Sequence, residues 1–418
     1  MQTRWFVDSR KFHTMEEASI KAYRYRWVVL FAFMFIAGMT QLLWITFAPI
    51  TGKAAEFYGV SDLMIGILSM SFMVVYLVMA IPSAWVIDTY GFRIAVGIGA
   101  VLTGIFAITR GIFASDYMII LASQVGIAIG QPFVLGSITK VAARWFPIDQ
   151  RATATGFGSL ALYLGILVAM VLTPYLTIEY GIKGTLTIYG VISAISAITF
   201  VVLAREAPPT PPCPSGYEER TLMFGGLKQL FKRRDFILLM IIFFIGLGTF
   251  NGVSTWIENI VSTRGFSISQ AGMLGGLMLA GGIIGALVLP PLSDKYHKRK
   301  PFILAALIGL IPGLIGVTFA KSYWLLLLSG VVFGFFLLSS GPVVFQYGAE
   351  IANPVPEGTS TSLLWFTGQV SGIVFIFGMN VFRTSGGSMA PSLLVLIGLM
   401  LVSFILALRL RESSLIAR

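Results

Sequence analysis

The sequence is a succession of long apolar runs, each of about 20–25 residues, separated by short polar breaks. Coiled as a helix at about 1.5 Å per residue, such a run crosses the ~30 Å hydrocarbon layer of a bilayer. Taken in order, the runs predict six spans at about 27–50, 61–87, 92–113, 117–145, 152–178 and 184–204. Six more follow at about 236–261, 270–292, 301–320, 323–351, 360–383 and 391–410. A charged content of 11% supports this division, since a soluble domain carries about 25%. The expected fold is therefore all-α and membrane-embedded, with two six-helix bundles at 27–204 and 236–410. A polar lead (1–26), a linker (205–235) and a short tail (411–418) complete the chain.

The linker is the firmest boundary. Residues 207–215 read Ala-Pro-Pro-Thr-Pro-Pro-Cys-Pro-Ser, and proline both lacks an N–H and clashes with the preceding helical turn. After it, 222–231 reads as a short amphipathic piece beside Lys228, Lys232, Arg233 and Arg234, expected to lie along the membrane surface. A single cysteine, Cys213, allows no disulfide framework within the chain. The first 26 residues are too polar and charged for a cleavable signal sequence.

A net charge of +11 would suit a nucleic-acid binder, but its distribution does not. With the N-terminus inside, the cytoplasmic segments carry 23 of the 29 Lys and Arg residues. Only Lys53, Arg110, Lys183, Arg264, Lys321 and Arg383 fall on the outer side. The asymmetry is a topology signal that puts both termini in the cytoplasm and faces anionic lipid. No nucleic-acid partner is expected. The expected assembly is a monomer in the cell (plasma or inner) membrane.

Between spans 2 and 3 the chain reads Ser83-Ala-Trp-Val-Ile-Asp88-Thr-Tyr-Gly91-Phe-Arg93. A second version, Pro290-Pro-Leu-Ser-Asp294-Lys295-Tyr-His-Lys-Arg-Lys300, stands about 206 residues later between spans 8 and 9. A carboxylate at a helix end can accept backbone N–H groups and pair with a basic residue, and such a pairing can break when the structure rocks. Both copies resemble the loop signature of the major facilitator superfamily. Arg144-Trp-Phe-Pro147 with Arg151, after span 4, resembles that superfamily's second cytoplasmic turn. The resemblance implies twelve helices working by alternating access, with Asp88, Gly91, Arg93, Arg144, Arg151, Asp294 and Lys295 in the inner gate.

Charge within the spans usually marks substrate and ion sites. Here Lys140, Arg144 and Glu350 fall near inner helix ends, and Arg110 and Glu258 near outer ends. Glu258 lies about 34 Å along span 7 from its inner end. With no Asp, Glu, Lys, Arg or His near the midplane, a facilitator or uniporter is favoured over a proton pump or an anion carrier. Glu258 is the candidate for coupling if there is any. An intramembrane hydrolase would need a nucleophile–base pair or metal ligands at depth, so an enzyme is not expected. Uncharged polar and aromatic groups remain as substrate contacts: Gln41 and Trp44, Gln124 and Gln131, Ser159 and Tyr163, Asn251 and Thr255, and Trp365 with Gln369. Each set shares a face of one helix.

Three stretches are more specific. Residues 44–60, Phe250–Thr255 and 357–375 (Glu-Gly-Thr-Ser-Thr-Ser-Leu-Leu-Trp-Phe-Thr-Gly-Gln-Val-Ser-Gly-Ile-Val-Phe) resemble the feline leukaemia virus subgroup C receptor-related transporters. That family is associated with choline and ethanolamine transport, and haem export has also been ascribed to it. By position, Trp44 matches its span 1 cage tryptophan and Gln369 its span 11 glutamine. Tyr163 departs from a glutamine there and Asn251 from a tyrosine. The resemblance implies a choline-like organic cation or polar amine held over aromatic faces. An exporter of amphipathic compounds, haem included and coupled to protons through Glu258, is the alternative, and a non-transporting receptor a third reading. Haem ligation favours His, Cys, Met or Tyr, yet His13 and His297 fall in cytoplasmic segments and Cys213 in the linker. No cofactor or metal is expected.

Overall fold

The computed structural model describes residues 23–210, 228–353, 355 and 357–412. Span 1 is Tyr25–Ile45, span 2 Asp62–Tyr90, span 3 Phe92–Ile112, and span 4 Tyr117–Leu135 continued by Ile138–Trp145. Spans 5 and 6 form one helical run, Ile148–Leu203, broken at Gly181, whose φ of 67° is left-handed. Without that break the run would be far longer than the bilayer is thick, so the eleven long apolar helices among the described residues make twelve crossings. In the second half, span 7 is Arg234–Thr255, span 8 Ile268–Lys295, span 9 Lys300–Phe319, span 10 Tyr323–Ala352, span 11 Glu357–Val381 and span 12 Ala390–Leu408. Residues 1–22 of the lead, most of the amphipathic stretch and Cys213 lie outside the described residues.

Several helix starts follow from their caps. The Ser61 hydroxyl accepts from Met64 N–H, and Asp116 accepts from Met118 and Ile119 N–H at 2.8 and 3.1 Å. Ser267 and Gln270 form a reciprocal capping box at span 8. Large apolar side chains such as Val78, Leu287 and Trp324 face outward, as lipid-facing positions must. Close crossings need small residues. A Cβ on Gly165 would overlap the Gly38 backbone, and this pair lets spans 1 and 5 touch.

The two halves repeat at an offset of 206 residues. Asp88, Arg93, Arg205 and Glu206 recur as Asp294, Arg299, Arg411 and Glu412. The repetition is structural. Glu206 accepts from Arg93 N–H at 2.8 Å at the start of span 3. Glu412 accepts from Arg299 and Lys300 N–H at 2.7 and 3.3 Å at the start of span 9. Each carboxylate satisfies free amides at the positive end of a helix. The turn before each helix is left-handed as well: φ is 85° at Gly91 and 51° at its equivalent, His297. His297 is the one non-glycine residue with positive φ among the described residues.

Three boundaries differ from the sequence reading. Span 1 stops at Ile45 rather than near Pro49, which instead lies in a 3₁₀ turn, Ala48–Ile50, before a further helix, Thr51–Tyr58. Span 4 bends at Gly136–Ser137, just past Pro132, because proline removes one helical donor. Span 7 ends at Thr255, where Trp256 leaves helical geometry to donate to the Ile376 carbonyl at 2.9 Å, and a separate helix, Ile257–Ser262, follows.

Candidate functional site

Spans 1 and 5 bring the first-half candidates together. Trp44 is 7% exposed, and its indole N–H donates to the Ser69 carbonyl of span 2 at 3.1 Å. Gln41 follows the Gly38–Gly165 crossing by about one turn on span 1, and Tyr163, half-buried, lies just before it on span 5. Gln131 is buried on span 4. Gln124, expected among the substrate contacts, is engaged elsewhere. Its Oε1 accepts from Arg110 Nη1 at 2.7 Å, and its Nε2 donates to the Leu43 carbonyl at 3.2 Å. Arg110 also reaches Leu43 O and Thr46 Oγ1 and lies over the Phe47 ring. It is fully buried with only neutral hydrogen-bond partners. The pair therefore caps the broken end of span 1, where carbonyls lack helical donors and a cation is favoured.

In the second half, Asn251 packs against Gly372 of span 11, where Met73 of span 2 also arrives. Gln369 is half-buried one turn below Gly372. Trp365 is 38% exposed and stacks on Phe345 at 5.5 Å, and Phe345 in turn meets Phe243. The sequence reading missed these two phenylalanines, since apolar residues on apolar helices carry no distinguishing pattern. Tyr163 and Gln369 are equivalents under the 206-residue repeat, as are Ser159 and Trp365. The site thus draws on the same register of spans 5 and 11. On span 7 the hydroxyls of Thr249, Ser254 and Thr255 are buried without a hydrogen-bond partner. Threonines elsewhere, such as Thr40, Thr46 and Thr103, bond back to their own helix. The span 7 hydroxyls are free to take a ligand or water.

The outer side is sealed between the halves. Glu258 accepts from Gly52 N–H, and these two positions are themselves 206 residues apart, so equivalent chain positions meet on the pseudo-two-fold axis. Asp62 of span 2 accepts from Arg383 at 2.5 Å and from Asn259 at 2.9 Å. The Trp256 ring fills the space beside Gly66. The break at Trp256 places Glu258 in the separate helix Ile257–Ser262, facing the helix Thr51–Tyr58 that follows span 1. Beyond the end of span 7, burial pushes the Glu258 carboxyl up to about 7, against the pull of the Gly52 N–H, with Asp62 adding to the rise and Arg383 opposing it.

On the inner side the ion pairs Asp88–Lys140 and Asp294–Arg299–Glu350 each lie within one half. Asp88 pairs with Lys140 at 3.2 Å, within the first half. Arg151 donates to the Ala143 and Phe146 carbonyls and holds the turn after span 4, while Arg144 is half-buried beside it and Arg93 exposed. In the second half Asp294 pairs with Arg299 at 2.5 Å, and Arg299 binds Glu350 at 2.9 Å. Lys295, expected in the inner gate, is exposed, and the partner of Asp294 is Arg299, the equivalent of Arg93. The 206-residue offset is the signal that would have found it.

Two six-helix halves, bridged by polar contacts on their outer side, define the architecture of a secondary transporter. The chain belongs to the Major Facilitator Superfamily, whose family model matches residues 29–376. It is 33% identical over 399 residues to solute carrier family 49 member A3 of Xenopus tropicalis, covering 89% of this chain and 82% of that one. It is 27% identical over 413 residues to the human choline/ethanolamine transporter FLVCR2, covering 93% and 78%. In fold it is similar to a bacterial homologue of the human lysosomal transporter Spinster, solved inward-facing and unoccupied. That likeness has a TM-score of 0.75 at 15% identity and covers 93% and 98% of the two chains.

Proposed function

We propose that the protein is a uniporter of a choline-like organic cation or polar amine, working by alternating access in the cell membrane. The observation that carries this reading is a mid-depth site of aromatic faces, amides and hydroxyls with no formal charge on the candidate residues. A quaternary ammonium gains about 0.5–2 kcal/mol from each aromatic face, and more once desolvated. Trp44, Tyr163 and Trp365 supply such faces. Gln41, Gln131, Asn251, Gln369 and Thr255 supply polar contacts that fix a hydroxyl or amine end. FLVCR2, a relative over most of the chain, is a choline/ethanolamine transporter, which supports the same substrate class. The charged inner gate residues Asp88, Arg93, Arg144, Arg151, Asp294 and Lys295 would re-pair across the halves in the outward-open state, with Gly91 supplying the turn before span 3.

Calorimetric titration of the purified protein with choline tests the site. Saturable binding that weakens at least tenfold in Trp44→Ala and Gln369→Ala is expected, and unchanged affinity in both variants would refute the assignment. One observation favours a second reading with proton coupling: Glu258 is enclosed at the outer interface with a carboxyl raised to about 7.

A further inference from the structure

At the cytoplasmic face the second half holds a cavity of about 340 Å³ that plays no part in the transport site, lined by Arg233, Arg234, Asp235, Phe236, Ile351 and Arg411. Three chain segments converge there: the entry to span 7, the inner end of span 10, and the stretch beyond span 12. Its walls are fixed. Arg233 Nη1 donates to the Ile351 carbonyl at 2.6 Å, which pins that guanidinium to span 10. The Arg411 carbonyl accepts from the Tyr347 hydroxyl at 2.6 Å, and the next residue, Glu412, is tied to the start of span 9. Phe236, fully buried, closes the floor.

The charge is one-sided, three arginines against one aspartate. Arg234 and Arg411 are exposed, so both are open to a ligand from outside the protein. The first turn of span 7 adds backbone N–H groups that no side chain caps. Planar guanidinium forks and free amides around one concavity are the donor set for a tetrahedral oxyanion. The volume exceeds that of a phosphate with a few waters, each taking about 30 Å³. The cavity lies among the cytoplasmic ends of spans 7 and 10, and basic pockets between such helix ends take acidic lipids.

We infer that this cavity is a binding site for a phosphate group, supplied by the headgroup of an anionic phospholipid of the inner leaflet. The test uses the full chain in phosphatidylcholine nanodiscs doped with phosphatidylglycerol, with thermal stability and native mass spectrometry as readouts. Phosphatidylglycerol is expected to raise Tm saturably and to be retained as a discrete bound lipid. The double variant Arg234→Gln/Arg411→Gln is expected to bind it roughly tenfold to thirtyfold more weakly. Its Tm in pure phosphatidylcholine should match wild type, which separates lost binding from lost folding. Lys228→Gln/Lys232→Gln, off the cavity wall, should bind normally. If millimolar inorganic phosphate alone reproduces the shift and the variant abolishes it, the phosphate site stands and its source is soluble. Binding of phosphatidylglycerol unaltered by the arginine substitutions, or abolished equally by the lysine pair, would overturn the inference.

Discussion

Glu258 shows how a single side chain ties pH to conformation. With the outer side sealed its carboxyl sits at about 7, whereas exposure to water returns it to the ordinary value near 4.5. The sealed state therefore binds the proton more tightly, and acidification across that window stabilises it. Above about pH 7 the sealed state must bury a carboxylate and is weakened. Labelling of a cysteine placed in the outer vestibule should accordingly slow as external pH falls from about 8 to about 5. In Glu258→Gln the rate should become flat with pH, although Asp62 and Arg383 remain nearby. Gln124 carries a packing prediction. Gln124→Leu strips Arg110 of its shortest hydrogen bond inside the bundle, so Tm should fall by the equivalent of about 1–3 kcal/mol. His297 gives the opposite sign. It occupies a left-handed turn that Gly91 fills in the first half, at a cost of about 1–2 kcal/mol for a side chain, so His297→Gly should raise Tm slightly. At this scale the sequence was legible where a residue type is rare in a membrane, as for Glu258. It carried no sign of the Gln124 contact with Arg110, because a glutamine facing a cavity and one facing a buried arginine look alike in a list of helix positions.

The helices were the most legible part of the chain. Apolar runs of membrane length left little choice, and Gly181 separates spans 5 and 6 inside what is otherwise one helical run. Breaks within spans were not legible, for a physical reason. Span 1 ends at Ile45, where the Arg110–Gln124 pair takes up the Leu43 carbonyl, and those partners are distant in sequence. Span 7 breaks at Trp256 because an indole finds a carbonyl on span 11. Both breaks sit where the two halves meet. The loop after span 2 carries its own prediction. Asp88 is mostly exposed and its pairing with Lys140 stays within one half, so losing it costs this state little. A cross-half pairing made only in the outward-open form would be lost entirely. Asp88→Asn should therefore shift the population further inward, read as faster labelling of a cysteine in the cytoplasmic cavity. Equal labelling and equal transport in the variant would refute a gating role.

For the whole molecule, the 206-residue repeat joins fold and function. It sets Glu206 and Glu412 under matching helix starts, brings position 52 against 258, and gives Tyr163 and Gln369 the same register on spans 5 and 11. Rocking of two such halves about a mid-depth site is the simplest motion this symmetry allows. The outer bridges of Asp62, Arg383, Asn259 and Glu258 would have to open for each cycle. The most direct test is uptake of radiolabelled choline into proteoliposomes, with and without a pH gradient, for wild type, Trp44→Ala and Gln369→Ala. A choline-like uniporter predicts saturable uptake that ignores the gradient and is lost in both variants. Accumulation driven by the gradient, or uptake by folded protein that is absent in wild type or untouched by both substitutions, would contradict it.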